Sequence, residues 1–347
     1  MRNSLTRPVR IGITLGDPAG IGPEIVVKAL QELESDRPWI PVLFGNPQVL
    51  HAALTLADAR RRVIVVDDAA AVEDTPGALA LVATSFDPQP VPYGVVSERG
   101  GDEAGRAVMG VVAAAKSGAV DVINTAPLNK EALRLAGYHY PGHTEMLTEL
   151  FGVEGVYTMF EVGALRIFFL TRHHPLRAVP GLLSVALVHD GITRCLGFLT
   201  DLGVENPVLA VAALNPHSGE HGLLGTEEQA ILQPAVEQAQ REGYRVEGPI
   251  PADAVFYQAR MGRYAGVLSL YHDQGHIAAK TLDFYGTVSV TLGLPVLRTS
   301  VDHGTAFDIA GRGVANAHGQ TAALRTAYAW AVRQRGPMTE SRGGWKT

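Results

Sequence analysis

The sequence predicts an α/β protein: two α/β/α domains built on a mostly parallel central sheet. Three observations predict it. Apolar runs that read as strands alternate with segments that read as helices, which is the pattern of parallel βαβ units. The length, 347 residues, is too great for one ordinary core and suits two. Polar, chemistry-bearing residues follow the apolar runs, which is where open α/β sheets build their sites.

Taken in order, residues 9–15 form an apolar run that stops at Gly16-Asp17-Pro18, a first strand. Pro23 and Glu24 open a helix through Leu30. Proline suits the first helical turn, where its missing N–H costs nothing, and an acid there faces the positive end of the dipole. Residues 41–44 and 63–66 read as strands. Residues 105–117, rich in Ala and Val, read as a helix, and 120–124 as a strand running into the loop 125–129. After Gly142 the pattern changes. Residues 156–160 and 164–171 read as a hairpin joined near Gly163, and 183–202 as a helix. A strand at 208–214 ends in Asn215-Pro216-His217. A helix covers 227–242, and a strand at 266–271 ends in His272-Asp273-Gln274-Gly275. The last long helix covers 320–333, and the polar tail from Gly336 is expected to be loose. There is no internal repeat and no low-complexity linker, so continuous β structure is expected to join the two halves.

Composition narrows the function. Acids outnumber bases 35 to 29, for a net charge of −6, which argues against nucleic acid as a partner. No run of about 18 apolar residues predicts a membrane span, and no apolar run follows the basic start MRNSLTRPVR, so a cytoplasmic location is expected. The one cysteine, Cys195, allows neither an internal disulfide nor a Cys-based metal site.

The densest chemistry lies between Leu270 and Asn316, with three His, four Asp, one Lys and two Arg. His173, His217 and His272 each fall just past the end of an expected strand. Three neutral imidazoles meeting at one point would hold a divalent metal and leave a position open for substrate. Capping or surface histidines are the plain alternative, and His174 beside His173 shifts the register by one. Asp273 and Asp253 are candidates to support the metal or move a proton, although Asp253 also reads as a helix N-cap. His143 opens a helix, where an anion would be welcome; Thr144 beside it reads equally as a cap. Lys280 and Arg298 are the candidates for holding a phosphate or carboxylate. The turn from Gly16 to Glu24 is glycine-rich but lacks the G-x-G-x-x-G spacing, and no Walker lysine or G-x-S-x-G elbow is present.

GDPAGIGPEI near the start and DHGTAFDIAGRGVAN near the end resemble the two signature stretches of the isocitrate and isopropylmalate dehydrogenase superfamily. PLNK (127–130), GHTE (142–145), RHHPLR (172–177), LNPHSGE (214–220), GTEE (225–228), GPIPAD (248–253), YHDQG (271–275) and LGLPVLRTSVDHGTA (292–306) resemble the PdxA family, whose namesake is 4-hydroxythreonine-4-phosphate dehydrogenase of pyridoxal phosphate biosynthesis. The motifs run in order over nearly the whole chain. The resemblance implies a first domain from residues 1–140 plus 290–335, a second from 141–289, and an active site in the cleft between them. It implies NAD-dependent oxidation of a secondary alcohol beside a carboxylate-bearing carbon, followed by decarboxylation. It makes His173, His217 and His272 ligands of a divalent metal (zinc, cobalt, nickel, manganese or magnesium), with Asp253, Asp273, Lys280 and His143 catalytic. It gives substrate contacts to His143, Thr144, Lys280, Ser289 and Arg298, and NAD contacts to Gly304, Asp308, Gly311 and Asn316. It implies a homodimer that shares the site across its interface.

One departure bears on the substrate. Ser289 stands where a resembling member has Asn in a G-V-N-I-T stretch, and a hydroxyl is shorter than an amide with fewer donors. His276 in YHDQGHIAAK resembles the catabolic branch acting on 4-phospho-D-threonate and 4-phospho-D-erythronate. A third branch, oxidising a cis-dihydrodiol, lacks the GHT and LPxxR elements present here. The expected substrate is therefore phosphorylated: 4-phosphooxy-L-threonine first, the phosphorylated sugar acids as alternative. Phosphate acyltransferases share the broad fold but need neither metal nor nicotinamide, and a non-catalytic binding protein would not need Lys280, Arg298 and His143 together.

Overall fold

The computed structural model describes residues 7–334; the start of the chain and the polar tail lie outside the described residues. The first half runs β1 (Val9–Thr14), α1 (Gly22–Glu32), β2 (Trp39–Gly45), α2 (Pro47–Leu56), β3 (Arg62–Val66), β4 (Ala78–Ala83), α3 (Glu98–Lys116), β5 (Val122–Thr125), α4 (Lys130–Leu135) and α5 (His143–Phe151). The second runs β6 (Tyr157–Val162), β7 (Leu165–Phe169), α6 (Val179–Leu182), α7 (Val185–Asp201), β8 (Leu209–Ala212), α8 (Gln233–Arg241), β9 (Val246–Ile250), α9 (Ala252–Arg260), β10 (Gly266–Ser269) and α10 (His272–Leu282). The chain then returns through β11 (Val288–Leu292), β12 (Leu297–Val301) and α11 (His318–Gln334).

All twelve strands form one sheet, in the order β3-β4-β2-β1-β5-β12-β11-β6-β7-β10-β8-β9. Most neighbouring strands are parallel; the antiparallel pairs are β12 with β11, β11 with β6, and β6 with β7. The halves thus meet through a hydrogen-bonded ladder, not a tether.

Alternation along the strands sorts the core into layers. Leu43 joins one apolar cluster while Val42 and Phe44 join another. The first cluster runs under both halves, from Ile11 and Ile25 through Trp330 to Ile192 and Leu209. The opposite face has two separate clusters, one round Val111 and Met146 and one round Ile167 and Ala279. The interval between those two is where the expected cleft would lie.

Most expected element ends fall within about two residues of the observed ones; two points differ more. Helix α3 starts seven residues before the expected position 105, because Ser97 accepts from the N–H of Gly100 and caps it. The Ser-Glu-Arg-Gly-Gly stretch reads as a loop, but a side chain at Gly101 would meet the Ala132 carbonyl oxygen at 1.9 Å, so glycine is what lets α3 and α4 touch. At α9 the cap position is Pro251, and Asp253 lies inside the first turn; the N-cap reading of Asp253 is corrected.

The Gly16-Asp17-Pro18 turn after β1 stitches loops together. Asp17 N–H donates to Pro127 O and Ile21 N–H to Thr305 O. The Asp17 side chain is fully buried. Its Oδ1 accepts from Ala19 N–H at 2.9 Å, and its Oδ2 has no partner. Burial pushes this carboxyl up to about 6, against the pull of the Ala19 and Asn129 backbone donors. A raised folded-state pKa means a stabilising contribution present at low pH and lost as pH rises through about 6. Asp17→Asn removes the ionisable oxygen. It is therefore expected to stabilise the protein at pH 8, by at most about 3 kcal/mol, and to be neutral at pH 4. Thermal melts at the two pH values check this, and equal shifts at both would refute it.

Candidate active site

The cleft floor is the face of β12, β11 and β6 that turns away from the shared core. Val288, Val290 and Leu292 enter that core, so Ser289 and Thr291 point the other way. Thr291 pairs across the ladders with Arg298 and with Thr158. Ser289 pairs with Ser300 and Phe160. A strip of polar side chains thus crosses the sheet between two apolar clusters.

Arg298 dominates that floor. It is 5% exposed. Its Nε and Nη2 donate to Thr125 Oγ1 at 3.0 and 2.6 Å, and its Nη1 to Thr291 Oγ1 at 3.0 Å. These hydroxyls satisfy hydrogen bonds without neutralising charge. Burial pulls the guanidinium down to about 10, and the nearby Glu145 carboxylate restores part of the loss. A buried cation in this state is a candidate to hold an anion.

His143 begins α5, and its Nε2 is buried without a partner. Burial first, then the charges of Arg298 and Lys130, hold its pKa well below the ordinary histidine value, so the ring is neutral. Thr144 follows it in the first turn, where its carbonyl accepts from Thr148.

Two strand-end histidines meet. His173, past β7, and His272, at the start of α10 past β10, have ring centroids 5.8 Å apart. Asp273 Oδ1 lies 2.6 Å from His272 Nδ1. A carboxylate can only accept, so Nδ1 carries the proton and the Nε2 lone pair is left for a metal. Burial, then Arg172 and His272, lowers the His173 pKa; Lys130 adds to this and Glu145 opposes it. Lys130 and Glu145 therefore act on both His173 and the His143–Arg298 pair, which places these groups round one site.

His217 lies past β8, the strand next to β10. It does not join the other two in this chain. Glu220 Oε2 lies 3.5 Å from its Nδ1, and its side chain is 73% exposed. Among the described residues no group of three or more His, Cys, Asp or Glu side chains forms a ligand set. The donor chemistry nonetheless suits a divalent ion: three imidazoles follow the C-terminal ends of three adjacent parallel strands, and two of them are paired.

The backbone round His217 is unusual. His217, Ser218, Gly219, Glu220 and His221 have φ of 51, 54, 77, 43 and 57°. Left-handed backbone costs about 1–2 kcal/mol per L-residue, so four non-glycine residues in series require strong support. Ser218 Oγ donates to Pro249 O, and polar staples run along the neighbouring strand ends. Thr171 Oγ1 donates to Leu270 O. Gln274 accepts from Leu270 N–H and donates to Ala213 O, both at 2.7 Å. Glu228 takes three donors from Leu214 and Asn215.

One face of α10 carries His272, His276 and Lys280 at four-residue spacing, about 6 Å per step. His276 stacks on His272 at 3.5 Å and 11°, anchors Nδ1 on the His272 carbonyl at 2.8 Å, and packs against Phe160 and Phe169. Lys280 Nζ lies 2.7 Å from Asp302 Oδ2 and 4.8 Å from the Phe284 ring centroid.

The remaining expected residues have local roles or stand apart. Asp253 is exposed on α9. Gly304 and Asp308 are exposed in the loop after β12. Gly311, at φ 76°, lies under the Tyr93 ring, which a side chain there would meet at 2.4 Å. Asn316 Oδ1 accepts from His318 N–H at the start of α11. Lys130, Glu145, Thr125, Thr158, Gln274 and Glu228 were given no role from sequence; the available signal was hydroxyls inside otherwise apolar strands and acids or amides close after strand ends. Among the described residues no single helix is long and apolar enough to cross a membrane.

A buried guanidinium held by hydroxyls, beside paired strand-end histidines, makes this the candidate active site of an α/β enzyme. Comparison with known proteins narrows the class. The family described as "Pyridoxal phosphate biosynthetic protein PdxA" matches residues 38–327. The chain belongs to this family and is a dehydrogenase. A Clostridium botulinum protein described as "Putative D-threonate 4-phosphate dehydrogenase" is 50% identical over 307 residues, 88% of this chain and 92% of its own length. A Symbiobacterium thermophilum protein with the same description is 48% identical over 332 residues, 95% of this chain and 99% of its own length. The crystal structure of 4-hydroxythreonine-4-phosphate dehydrogenase from Klebsiella pneumoniae matches with a TM-score of 0.86 at 40% identity, covering 94% of this chain and 99% of that one.

Proposed function

We propose that this dehydrogenase oxidises D-threonate 4-phosphate with NAD and releases carbon dioxide. The alcohol at C3 gives a hydride to NAD and its proton to the site. The 3-oxo acid then loses its carboxylate as carbon dioxide, and reprotonation at C2 leaves dihydroxyacetone phosphate. The observation that carries this reading is Arg298, a buried cation held by hydroxyls alone, at a cleft that must receive a multiply charged anion. His143 offers an open hydrogen-bonding atom at Nε2 to orient a substrate hydroxyl. Lys280, held against Asp302, is the proton donor to C2. A divalent metal bound by His173, His272 and His217 would supply Lewis-acid polarisation of the reacting oxygen. In this reading the protein is a cytoplasmic homodimer whose interface completes the site, and Asp253 acts there. NAD lies along Gly304, Asp308, Gly311 and Asn316.

The sequence ranked 4-phosphooxy-L-threonine first. The curated relatives at 50% and 48% identity move the preference to the sugar acid, and the structural relative at 40% identity keeps the amino acid as second reading. The two substrates differ at C2, hydroxyl against ammonium. NADH absorbance with metal-loaded protein and both compounds in parallel decides. Faster turnover of D-threonate 4-phosphate supports the proposal, and faster turnover of the amino acid replaces it. Ser289→Asn is expected to move the ratio of kcat/KM towards the amino acid by about tenfold, the scale of one hydrogen bond; an unchanged ratio would remove Ser289 from the specificity argument.

A further inference from the structure

Glu228 is 3% exposed. Its Oε1 accepts from the N–H groups of Leu214 and Asn215 at 2.9 and 2.7 Å, and its Oε2 from Asn215 Nδ2 at 2.8 Å. Those donors are the residues that leave β8 for the left-handed turn. Oε2 also lies where a side chain on Gly219 would be, 2.8 Å from that position, so the carboxylate sits against the middle of the turn as well as its entrance. Glu228 itself opens a π turn that leads into α8. Such turns are rare and recur at functional sites. The carboxylate thus joins an irregular helix start to an irregular loop, and the loop carries His217.

We propose that Glu228 is a positioning residue, holding the 216–222 turn in the conformation that presents His217 to a divalent metal. The proposal rests on the reading of His217 as a metal ligand. All three partners of Glu228 are donors, so an acceptor on both oxygens is required. Glu228→Gln keeps size and shape but turns an NH2 group towards one of those donors. The turn then loses part of its anchor, and its L-residues are released towards ordinary backbone.

The test is Zn2+ binding by the full-length metal-stripped protein, followed by competition with a chelating dye, with Co2+ absorption spectra as a report on ligand geometry. Glu228→Gln is expected to weaken Zn2+ binding about 10- to 100-fold and to alter the Co2+ spectrum while the circular dichroism stays native. His217→Ala is measured in parallel. Loss of affinity in His217→Ala with wild-type affinity in Glu228→Gln overturns the positioning role alone. Wild-type affinity in both overturns the metal reading and the proposal with it. Should Glu228→Gln fail to fold, Asn215→Ala removes the Nδ2 donor to Oε2 and leaves the two backbone donors to Oε1; weakened Zn2+ binding there supports the proposal and unchanged binding refutes it.

Discussion

Arg298→Met is expected to leave the thermal midpoint unchanged or raise it while removing most of the activity. The two effects have one cause. The guanidinium is buried and its hydrogen-bond partners are Thr125 and Thr291 hydroxyls, so the folded protein carries a desolvation cost that the nearby Glu145 carboxylate offsets only in part. Replacing buried charge by an apolar side chain of similar volume is often neutral or stabilising, by about 1–4 kcal/mol. The same partly compensated charge is what an anionic substrate meets. Truncating one partner of a buried, hydrogen-bonded charge pair costs about 2–5 kcal/mol of binding, so kcat/KM should fall about 10²- to 10³-fold, mostly through KM. Calorimetry and steady-state rates check the two halves. A lower midpoint with a normal KM would make Arg298 a structural residue.

His272→Ala should be more damaging to turnover. The ring sits 5.8 Å from His173 and is oriented by Asp273. If it presents a lone pair to a metal, its loss removes several kcal/mol of oxygen polarisation, at least about 10³-fold in kcat/KM. Asp273→Asn keeps the ligand but unsettles its tautomer, for a milder loss of about 10- to 100-fold. Metal content by elemental analysis and NADH production check the pair. Full activity with normal metal content in His272→Ala would end the metal assignment.

Much of this was legible in the residues because central parallel strands are apolar on both faces. Strands β1, β8 and β10 stand out as short apolar runs for that reason, and the histidines following β7, β8 and β10 are visible as a set. The cleft floor was legible only in part: Arg298 stood out as an anion holder and Ser289 only through the family resemblance, while Thr125, Thr158 and Thr291 did not. In β11 the residues facing the core are Val288, Val290 and Leu292, and they mask Ser289 and Thr291 between them. Only the register with β12 and β6 shows that Thr291, Arg298 and Thr158 share a surface. The left-handed turn was illegible for a different reason: no local preference places His217, Ser218, Glu220 and His221 at positive φ, and the cause, Glu228, lies downstream. The glycine-rich stretch after β12 showed its glycines but not their work, which at Gly311 is to admit Tyr93.

The strand order has a consequence for how the chain is made. Strand β12 lies between β5 and β11, and α11 buries Leu324, Ala327 and Trp330 in the core that also holds Ile11 and Val122. The first five strands emerge from the ribosome early, but the neighbour that covers β5 and the helix that seals them come last. Throughout synthesis of the second half the nascent chain holds an open apolar strand edge, the kind of surface that invites association with other chains. The sheet and core of the first half are therefore complete only once residues near 330 have been made.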